Sequence, residues 1–250
     1  MPRWLSRALA RIHRMTASGA IRVTRKAREE AHSLHLSPAD VEDVVSSVST
    51  AHFAERISSA TTDEWMYVFR PRLEGKRLYI SSFSARGCAS WCPSMKTKRR
   101  TAVTRTRPPR RPAHELPRDA CVSCGTMMKQ ARARLPYPVN GETILVPSVH
   151  LTCPRCGETV LELREWKRQH ENAIAIYRER HGLLSADEIR AIRKQLGLNQ
   201  AALARLLRLG GNTVSRWESG RNVQSGAMDI LLRMLRDLPG SVAYLRKRAA

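Results

Sequence analysis

The stretch SADEIRAIRKQLGLNQAALARLLRLGGNTVSRWESG, residues 185–220, holds the strongest local folding signals of the chain. Side chains that cap helix starts alternate here with glycines that end helices. The caps are Ser185 (with Glu188 completing a capping box) and Asn199, a further short helix begins near Asn212, and the ends are Gly197 and Gly220. These signals predict three helices separated by two turns, with the second helix over 200–207 and a short third helix over 212–218.

Apolar residues in and after this stretch recur at the spacing of a small helical core. The core set is Leu203, Ala204, Leu206, Val214 and Trp217, and a helix over 227–235 adds Met228, Leu231, Leu232 and Leu235 as a lid. Two short helices that share one core across a turn follow the plan of a helix-turn-helix. We therefore predict an all-α helix-turn-helix domain over 183–250.

Upstream of this domain, two Cys-x-x-Cys pairs are separated by 28 residues. The pairs are Cys121 with Cys124 and Cys153 with Cys156, and a glycine follows each pair. Two residues between thiols let one tight turn present both sulfurs to the same ion. In a chain without an export signal, such pairs favour a metal over disulfides. We predict one structural Zn²⁺ bound by four thiolates; an iron centre and unliganded thiols are the alternatives.

The residues between the cysteine pairs predict a β-hairpin. Asn140-Gly141 suits the positive φ angles of a two-residue type I′ turn, and 143–151 is strand-like. Such a hairpin would return the second cysteine pair to the first, which makes 119–162 a zinc-binding module. Residues 163–182 lack proline, and the only glycine, Gly182, comes last, so they predict a linker helix. Cys88 and Cys92 have no second pair, and we interpret them as incidental.

Residues 1–83 predict a small α+β segment. Helices are expected over 6–18 and 24–34, and a third begins where Ser37 can cap and Pro38 takes the first helical position. Strands are expected over 64–70 and 77–82. Because two strands alone make a poor sheet, we expect that a further strand is missing after them.

The charge of the chain is strongly positive and unevenly distributed. The formal net charge is +22, which points to a polyanionic partner, with nucleic acid the first candidate. Residues 84–118 are rich in proline, lysine and arginine and almost devoid of large aliphatic residues, so they predict a disordered basic linker. No apolar run reaches the length of about 18 residues that a membrane span needs. We expect a cytoplasmic protein without a membrane or small-molecule partner.

The C-terminal half resembles a known family. The pattern Gln200-x-x-Leu203-Ala204, then Val214 and Glu218-x-Gly220, is similar to the Cro/cI-type (XRE) helix-turn-helix. The wider order of two cysteine pairs, a linker helix and this domain, over 119–240, resembles the MqsA family of antitoxins. The resemblance implies a DNA-binding regulator that occupies a promoter palindrome as a homodimer. It also implies an MqsR-type toxin as a partner.

Candidate DNA contacts lie at the start of the third helix, the recognition helix of the motif. An Asn side chain can bond adenine and an Arg side chain guanine in a bidentate manner, and the family carries base contacts at Asn212 and Arg216. Gln200 stands where a phosphate would meet backbone N–H groups, and Thr213 and Ser215 are further candidates. The family usually has glycine where this chain has Arg208, and we expect Gly210 and Gly211 to absorb that turn.

Residues 11–80 resemble the MqsR family of RNA-cleaving toxins, whose fold is RelE-like. The resemblance rests on GAIRVTR at 19–25, Phe53 and EWMYVFRPRLEGKRLYI at 64–80. The family often has Lys where this chain has Glu55 and Gln where it has Met66, although Tyr79 is retained. We therefore expect a truncated and inactive toxin-like segment.

The sequence as a whole predicts a multidomain, mostly α protein with small α+β parts. Its segments are a truncated RelE-like segment (1–83), a disordered linker (84–118), a zinc-binding hairpin module (119–162), a linker helix (163–182) and a helix-turn-helix domain (183–250). The leading interpretation is a non-enzymatic, sequence-specific DNA-binding regulator of antitoxin type. A fusion that retains messenger RNA endonuclease activity is the alternative, and a toxin remnant whose zinc module captures a separate toxin is a third reading.

Overall fold

The computed structural model describes residues 3–58, 65–73, 76–78, 80–83, 88–91 and 117–249. The chain divides into two compact units, one with Met1–Ala133 and Pro147–Lys167, the other with Arg134–Val146 and Arg168–Ala250. In the part of the chain that the structure describes, no helix combines the length and hydropathy needed to cross a membrane.

The helices at the front of the first unit are α1 (Arg3–Ala17), α2 (Arg25–Ser33) and α3 (Pro38–Ser47), followed by a 3-10 turn at Thr50–His52. The Ser37 side chain accepts from the Asp40 amide, and the Asp40 carboxylate accepts from the Ser37 amide, so α3 begins with a complete capping box. The helix start predicted at Ser37 and Pro38 is confirmed. Buried side chains of α1, among them Leu5, Leu9 and Ile12, belong to the core of this unit.

An eight-stranded sheet has the strand order β2-β3-β6-β7-β1-β10-β9-β8. Its strands are β1 (Arg22–Thr24), β2 (Phe53–Ser58), β3 (Trp65–Phe69), β6 (Ile80–Phe83), β7 (Cys88–Trp91), β8 (Lys129–Val139), β9 (Glu142–Thr152) and β10 (Thr159–Glu162). A separate pair contains β4 (Arg72–Leu73) and β5 (Lys76–Arg77). The strand predicted over 64–70 corresponds to β3, whereas the one over 77–82 is divided between β5 and β6.

Strand β7 corrects two expectations about the front of the chain. It pairs antiparallel with β6 and parallel with β1, so a strand does follow the predicted ones. Residues 88–91 are also part of the segment for which disorder was predicted. Composition was misleading here, because a short strand held between two neighbours depends on their pairing more than on its own propensity. The linker residues 92–116, including Cys92, lie outside the described residues.

The hairpin between the cysteine pairs forms as predicted. Asn140 and Gly141 have φ angles of +46° and +85°, as a type I′ turn requires. The two strands it joins, β8 and β9, are eleven residues each. Strand β10 then pairs antiparallel with β9, with Thr159 opposite Thr152.

The remaining helices are α4 (Leu163–Arg180), α5 (Ala186–Gln195), α6 (Gln200–Leu206), α7 (Thr213–Glu218), α8 (Gly226–Asp237) and α9 (Ser241–Ala249). Ser185 and Glu188 form the predicted capping box of α5, and the Asn199 side chain accepts from the Ala202 amide at the start of α6. Gly182, Gly197 and Gly220 have positive φ at the predicted helix ends. Helix α9 was not predicted.

Helices α5–α9 form the C-terminal bundle (residues 183–249), which has its own apolar core. Leu203, Ala204, Val214 and Trp217 are buried in it as predicted, with Leu232 and Leu235 from α8. Leu206 was expected in the core, but Leu207 occupies that position and Leu206 lines an open groove beside α9. The predicted layout, helices at the C-terminal end and a sheet toward the front, is confirmed at this level. The sheet is larger than the small α+β parts expected from the sequence.

Candidate metal centre and candidate nucleic-acid interface

Each cysteine pair of the metal centre lies on a tight turn that a glycine closes. The Gly125 amide donates to the Cys121 carbonyl at 2.9 Å, and the Gly157 amide donates to the Cys153 carbonyl at 3.0 Å. Both glycines have positive φ, +73° and +68°, and a residue with a Cβ adopts such an angle only with strain. The turns therefore depend on glycine at these positions.

The four sulfurs lie at the spacing that a tetrahedral metal requires. Cys121 Sγ is 3.6 Å from Cys156 Sγ, and Cys124 Sγ is 3.5 Å and 3.7 Å from the sulfurs of Cys153 and Cys156. All four sulfurs lie within 4.8 Å of one another, and all four thiols are free of disulfides. Sulfurs bound to one Zn²⁺ at about 2.3 Å would be about 3.8 Å apart. The donor set fits one structural zinc ion with four thiolates, so the predicted cofactor and ligand set are confirmed.

The thiols of the first pair differ in acidity. Burial raises the pKa of Cys121 to about 12. Hydrogen bonds from the side chain and backbone of Thr126 lower the pKa of Cys124 to about 6. Because a metal ligand must be a thiolate, the ion has to displace the proton of Cys121, whereas Cys124 is already inclined to ionise.

The residues predicted to read DNA gather at one end of α7. Asn212 is exposed at the N-cap position, and Thr213, Ser215 and Arg216 are half-buried along the helix. The Ser215 hydroxyl donates to the Asn212 carbonyl at 2.9 Å, so it also fastens the first turn of the helix. Val214 and Trp217 face the core between these polar positions, and this alternation fixes which face of α7 points outward.

Gln200, the remaining predicted contact, has its side chain engaged inside the bundle. Its amide nitrogen donates to Glu218 Oε2 at 2.9 Å. Arg193 donates to both carboxylate oxygens of Glu218, at 2.5 Å and 3.0 Å. Burial alone would raise the pKa of Glu218, but the hydrogen bonds from Arg193 and Gln200 outweigh it and lower that pKa. The prediction that Glu218 is a structural partner is confirmed.

Three donors from other elements hold the C-terminal end of α7, and the sequence did not point to them. Arg178 donates to the Trp217 carbonyl at 3.2 Å, Arg190 donates to the Glu218 carbonyl at 2.6 Å, and His170 Nε2 lies 2.9 Å from the Gly220 carbonyl. The Tyr137 hydroxyl lies 2.6 Å from His170 Nδ1. Cations favour a helix C-terminus, so these contacts both stabilise and orient α7. The sequence did not indicate these contacts, because the two residues of each contact lie far apart along the chain.

Arg208 corrects the prediction for the turn between α6 and α7. It adopts φ +54° itself, while Gly210 and Gly211 do not have positive φ. The Leu209 amide donates to the Ala204 carbonyl at 2.8 Å, the bond that closes a helix with a left-handed residue after its last turn. The backbone at this position therefore keeps the left-handed conformation for which the family has glycine. Arg208 adopts that conformation with strain.

Only some of the positions compared with the toxin family lie within the described residues. Glu55 on β2 forms an ion pair at 3.3 Å with Arg70, the residue that follows β3. Met66 pairs with Ile57 in the register of β3 and β2, and Arg72 is exposed. Tyr79 lies outside the described residues.

Comparisons with known proteins agree with this architecture. The family model described as "Antitoxin component of bacterial toxin-antitoxin system, MqsA" matches residues 119–246. The model described as "Motility quorum-sensing regulator, toxin of MqsA" matches residues 6–89. The curated protein Antitoxin HigA-2 of Vibrio cholerae is 34% identical over 62 residues, which is 25% of this chain and 60% of that protein's length.

The module of four cysteines, the helix α4 and the C-terminal bundle together define an antitoxin component of a bacterial toxin–antitoxin system. The match covers all three, and the chain belongs to the MqsA antitoxin family. A segment similar to the MqsR toxins precedes it in the same polypeptide. The resemblances to the MqsA and MqsR families that the sequence indicated are thus confirmed.

Proposed function

We propose that the chain is a sequence-specific DNA-binding regulator of the antitoxin type, in which α6 and α7 act as a helix-turn-helix. The observation that carries the proposal is the set of polar side chains at the start of α7 above a buried core face. Asn212 and Arg216 contact base edges, and Thr213 and Ser215 contact bases or backbone. Since the Gln200 side chain is bonded to Glu218, Gln200 contributes to phosphate binding through its backbone.

The clamp of Arg178, Arg190 and His170 on the far end of α7 supports this role. A recognition helix has to enter the major groove at a defined angle. Two hydrogen bonds to its last carbonyls and one to Gly220 just beyond it restrict that angle. Helix α7 has only six residues, so its own backbone bonds hold it weakly. DNA binding involves no catalysed reaction, so a role as a regulator assigns no catalytic residue.

The operator is expected to be a palindrome occupied by a homodimer. Ile230 and Met234 lie four residues apart on α8, and Leu238 is the residue that ends this helix; the three side chains are 61%, 46% and 50% exposed. Large apolar side chains exposed together along a helix and at its end are typical of a self-association surface. Met234→Glu should therefore yield monomers by analytical ultracentrifugation and weaken operator binding, whereas Arg236→Glu on the same helix should leave the dimer intact.

Genomic DNA footprinting tests the proposal directly. Fragments bound by the full chain should share a palindrome whose half-sites lie about 34 Å apart or a multiple of that distance. Deleting 92–116 should weaken binding to all sequences about equally and flatten the salt dependence, because this segment is basic without any base-reading motif. Fragments without a shared sequence would contradict specific reading.

The toxin-like segment is expected to be inactive in RNA cleavage. In a ribonuclease of this kind, basic side chains bind phosphate and stabilise developing charge. Glu55 places a carboxylate beside Arg70 and neutralises one such candidate. Messenger RNA incubated with the purified full chain should stay intact; cleavage abolished by Arg70→Ala would instead support the endonuclease alternative.

A further inference from the structure

The tip of the β8–β9 hairpin, residues 134–146, belongs to the same compact unit as residues 168–250. One face of this hairpin tip is withdrawn from water, since Tyr137, Val139, Ile144 and Val146 are all buried. Residues two apart on a strand point to the same side, so the two buried residues of each strand share a face. An isolated two-stranded hairpin would be at best marginally stable in water. The hairpin tip is therefore held in place by the unit around it.

His170 of α4 lies between the hairpin tip and the end of α7. Its Nδ1 is 2.6 Å from the Tyr137 hydroxyl, and the two ring centroids are 5.5 Å apart. Its Nε2 is 2.9 Å from the Gly220 carbonyl oxygen. Near the other end of α4, His181 Nε2 is 2.8 Å from Glu142 Oε2 on the hairpin tip. Helix α4 is thus fastened to the hairpin tip along its length, and His170 extends this attachment to α7.

A second residue of α4 contacts the same end of α7. Arg178 donates to the carbonyls of Trp217 and Asn222, on either side of Gly220, at 3.2 Å and 3.5 Å. Arg178 follows His170 by about two turns, so both project from the same side of α4. Gly220 has φ +71° and turns the chain out of α7, so its carbonyl needs a partner outside that helix. Helix α4 supplies that partner and the two neighbouring ones.

The two bonds of His170 define its tautomer. The Gly220 carbonyl oxygen can only accept, so Nε2 has to carry a hydrogen. A neutral imidazole then has a lone pair at Nδ1, and the Tyr137 hydroxyl donates to it. Without this hydroxyl the hydrogen is free to occupy Nδ1 instead, and Nε2 would then present its lone pair to the Gly220 carbonyl. Tyr137 therefore keeps His170 as a donor to the end of α7.

We propose that Tyr137 and His170 are positioning residues for DNA reading, so that the reading unit includes the hairpin tip and α4 as well as the helix-turn-helix. Contacts to base edges require placement within about 0.5 Å, whereas phosphate contacts carry no sequence information. A loosened end of α7 therefore costs discrimination between the operator and other DNA more than it costs general affinity. This inference rests on the DNA binding of the proposed function and adds a specificity determinant on the hairpin between the cysteine pairs.

The experiment measures binding of the zinc-containing full chain to a footprinted operator fragment and to random duplex DNA at one salt concentration. Tyr137→Phe removes the hydroxyl and keeps the ring. Its affinity for the operator should fall about fivefold, the effect of one net hydrogen bond. Its affinity for random DNA should change less than about twofold, because the phosphate contacts remain. Zinc content and urea denaturation of each variant verify its fold.

A double variant and a control histidine identify the route of the effect. His170→Phe should lower the ratio of operator to random affinity at least as much as Tyr137→Phe. Adding Tyr137→Phe to His170→Phe should have no further effect, because the hydroxyl acts through the imidazole. His181→Gln is the matched control, since His181 lies on the same helix and its bond is to Glu142, which keeps Arg180 as a partner. It should change the ratio less than about twofold.

Nitrogen NMR of the imidazole reports on the same arrangement without DNA. The wild-type chain should show His170 with its hydrogen on Nε2, and Tyr137→Phe should show a mixture of both tautomers. A wild-type hydrogen on Nδ1 would overturn the proposal. So would a wild-type chain that selects the operator beside a Tyr137→Phe variant that selects it equally well, and this result would leave the proposed function intact. A wild-type chain that prefers no sequence would overturn the proposed function together with this inference.

Discussion

The C-terminal bundle and the front segment (residues 3–91) differ in where their stabilising contacts come from. In the bundle, core residues such as Leu203, Val214 and Leu232 belong to helices that follow one another closely along the chain. In the front segment, β1 finds its neighbour β10 only beyond the linker. Local contacts allow a unit to form without help, whereas a sheet completed from a distant segment requires both parts. Damage to the zinc module should therefore reach the front segment and spare the core of the bundle.

Loss of the metal centre is expected to have the largest effect. Cys124→Ser leaves three thiolates, so the variant should lose zinc together with the about 10 kcal/mol or more that a structural zinc contributes. Residues 119–162 should unfold, and amides of β1 should lose hydrogen-exchange protection with them. Amides of α5–α8 should keep theirs.

Cys88→Ser is the matched control for this variant, because Cys88 has no second pair and is predicted to be incidental. It should retain about one zinc per chain. Zinc retained at full occupancy by Cys124→Ser would show that the four-thiolate assignment is wrong. Loss of protection throughout the bundle would instead contradict the independence of its core.

The same contrast between local and distant contacts explains which features were predictable from the sequence. Ser185, Asn199 and Gly197 act on their own helix ends, and the cysteine pairs carry their spacing and turn glycines within a few residues. Strand β1 has three residues and no alternation of its own, so only its pairing with β7 and β10 defines it. The contacts of His170 could not be predicted either, since its partners Tyr137 and Gly220 are distant in sequence.

Within the bundle, Glu218→Gln should cause the second largest loss of folding stability. The amide cannot carry the charge that faces Arg193, so a buried ion pair becomes an uncompensated cation. The expected loss is about 3 kcal/mol of unfolding free energy, measured by urea denaturation. Glu165→Gln, on a helix outside the bundle, is the control and should change little.

The pH dependence of the same residue follows from its lowered pKa. A carboxyl group with a pKa lower in the folded than in the unfolded state stabilises the fold above its ordinary value of about 4.3. That stabilisation is lost as the pH falls through the folded-state pKa. The wild-type bundle should thus lose more stability than Glu218→Gln between about pH 5 and pH 3, and parallel stability curves would contradict this.

Single substitutions at the DNA-contacting residues are expected to change the free energy of DNA binding by a smaller amount than the changes above. Arg216→Ala should cost about 1–3 kcal/mol on the operator and little on random DNA, because the lost contact is to a base edge. Asn212→Ala should relax the preference at an adenine. Arg205→Ala, an exposed position of α6, should weaken both kinds of DNA by a similar factor. If Arg216→Ala weakened both equally as well, α7 would not be in the groove.

The smallest effect concerns the backbone of the turn between α6 and α7, and here a substitution should stabilise the protein. Arg208 adopts φ +54°, a conformation that costs a residue with a Cβ about 1 kcal/mol. Arg208→Gly removes this cost but gains entropy in the unfolded chain, so the net stabilisation should be at most about 1 kcal/mol. Thermal unfolding should show a rise of a few degrees.

Arg205→Gly provides a control of opposite sign for that substitution. Arg205 lies three residues earlier inside α6, where glycine should cost about 1 kcal/mol relative to a good helix former. The pair thus separates the strain of the turn from the general effect of placing glycine in the bundle. If both variants were destabilised alike, the left-handed turn would not be at Arg208. The predicted absorption of the turn by Gly210 and Gly211 would then have to be reconsidered, because a turn placed there would change the direction in which α7 leaves α6.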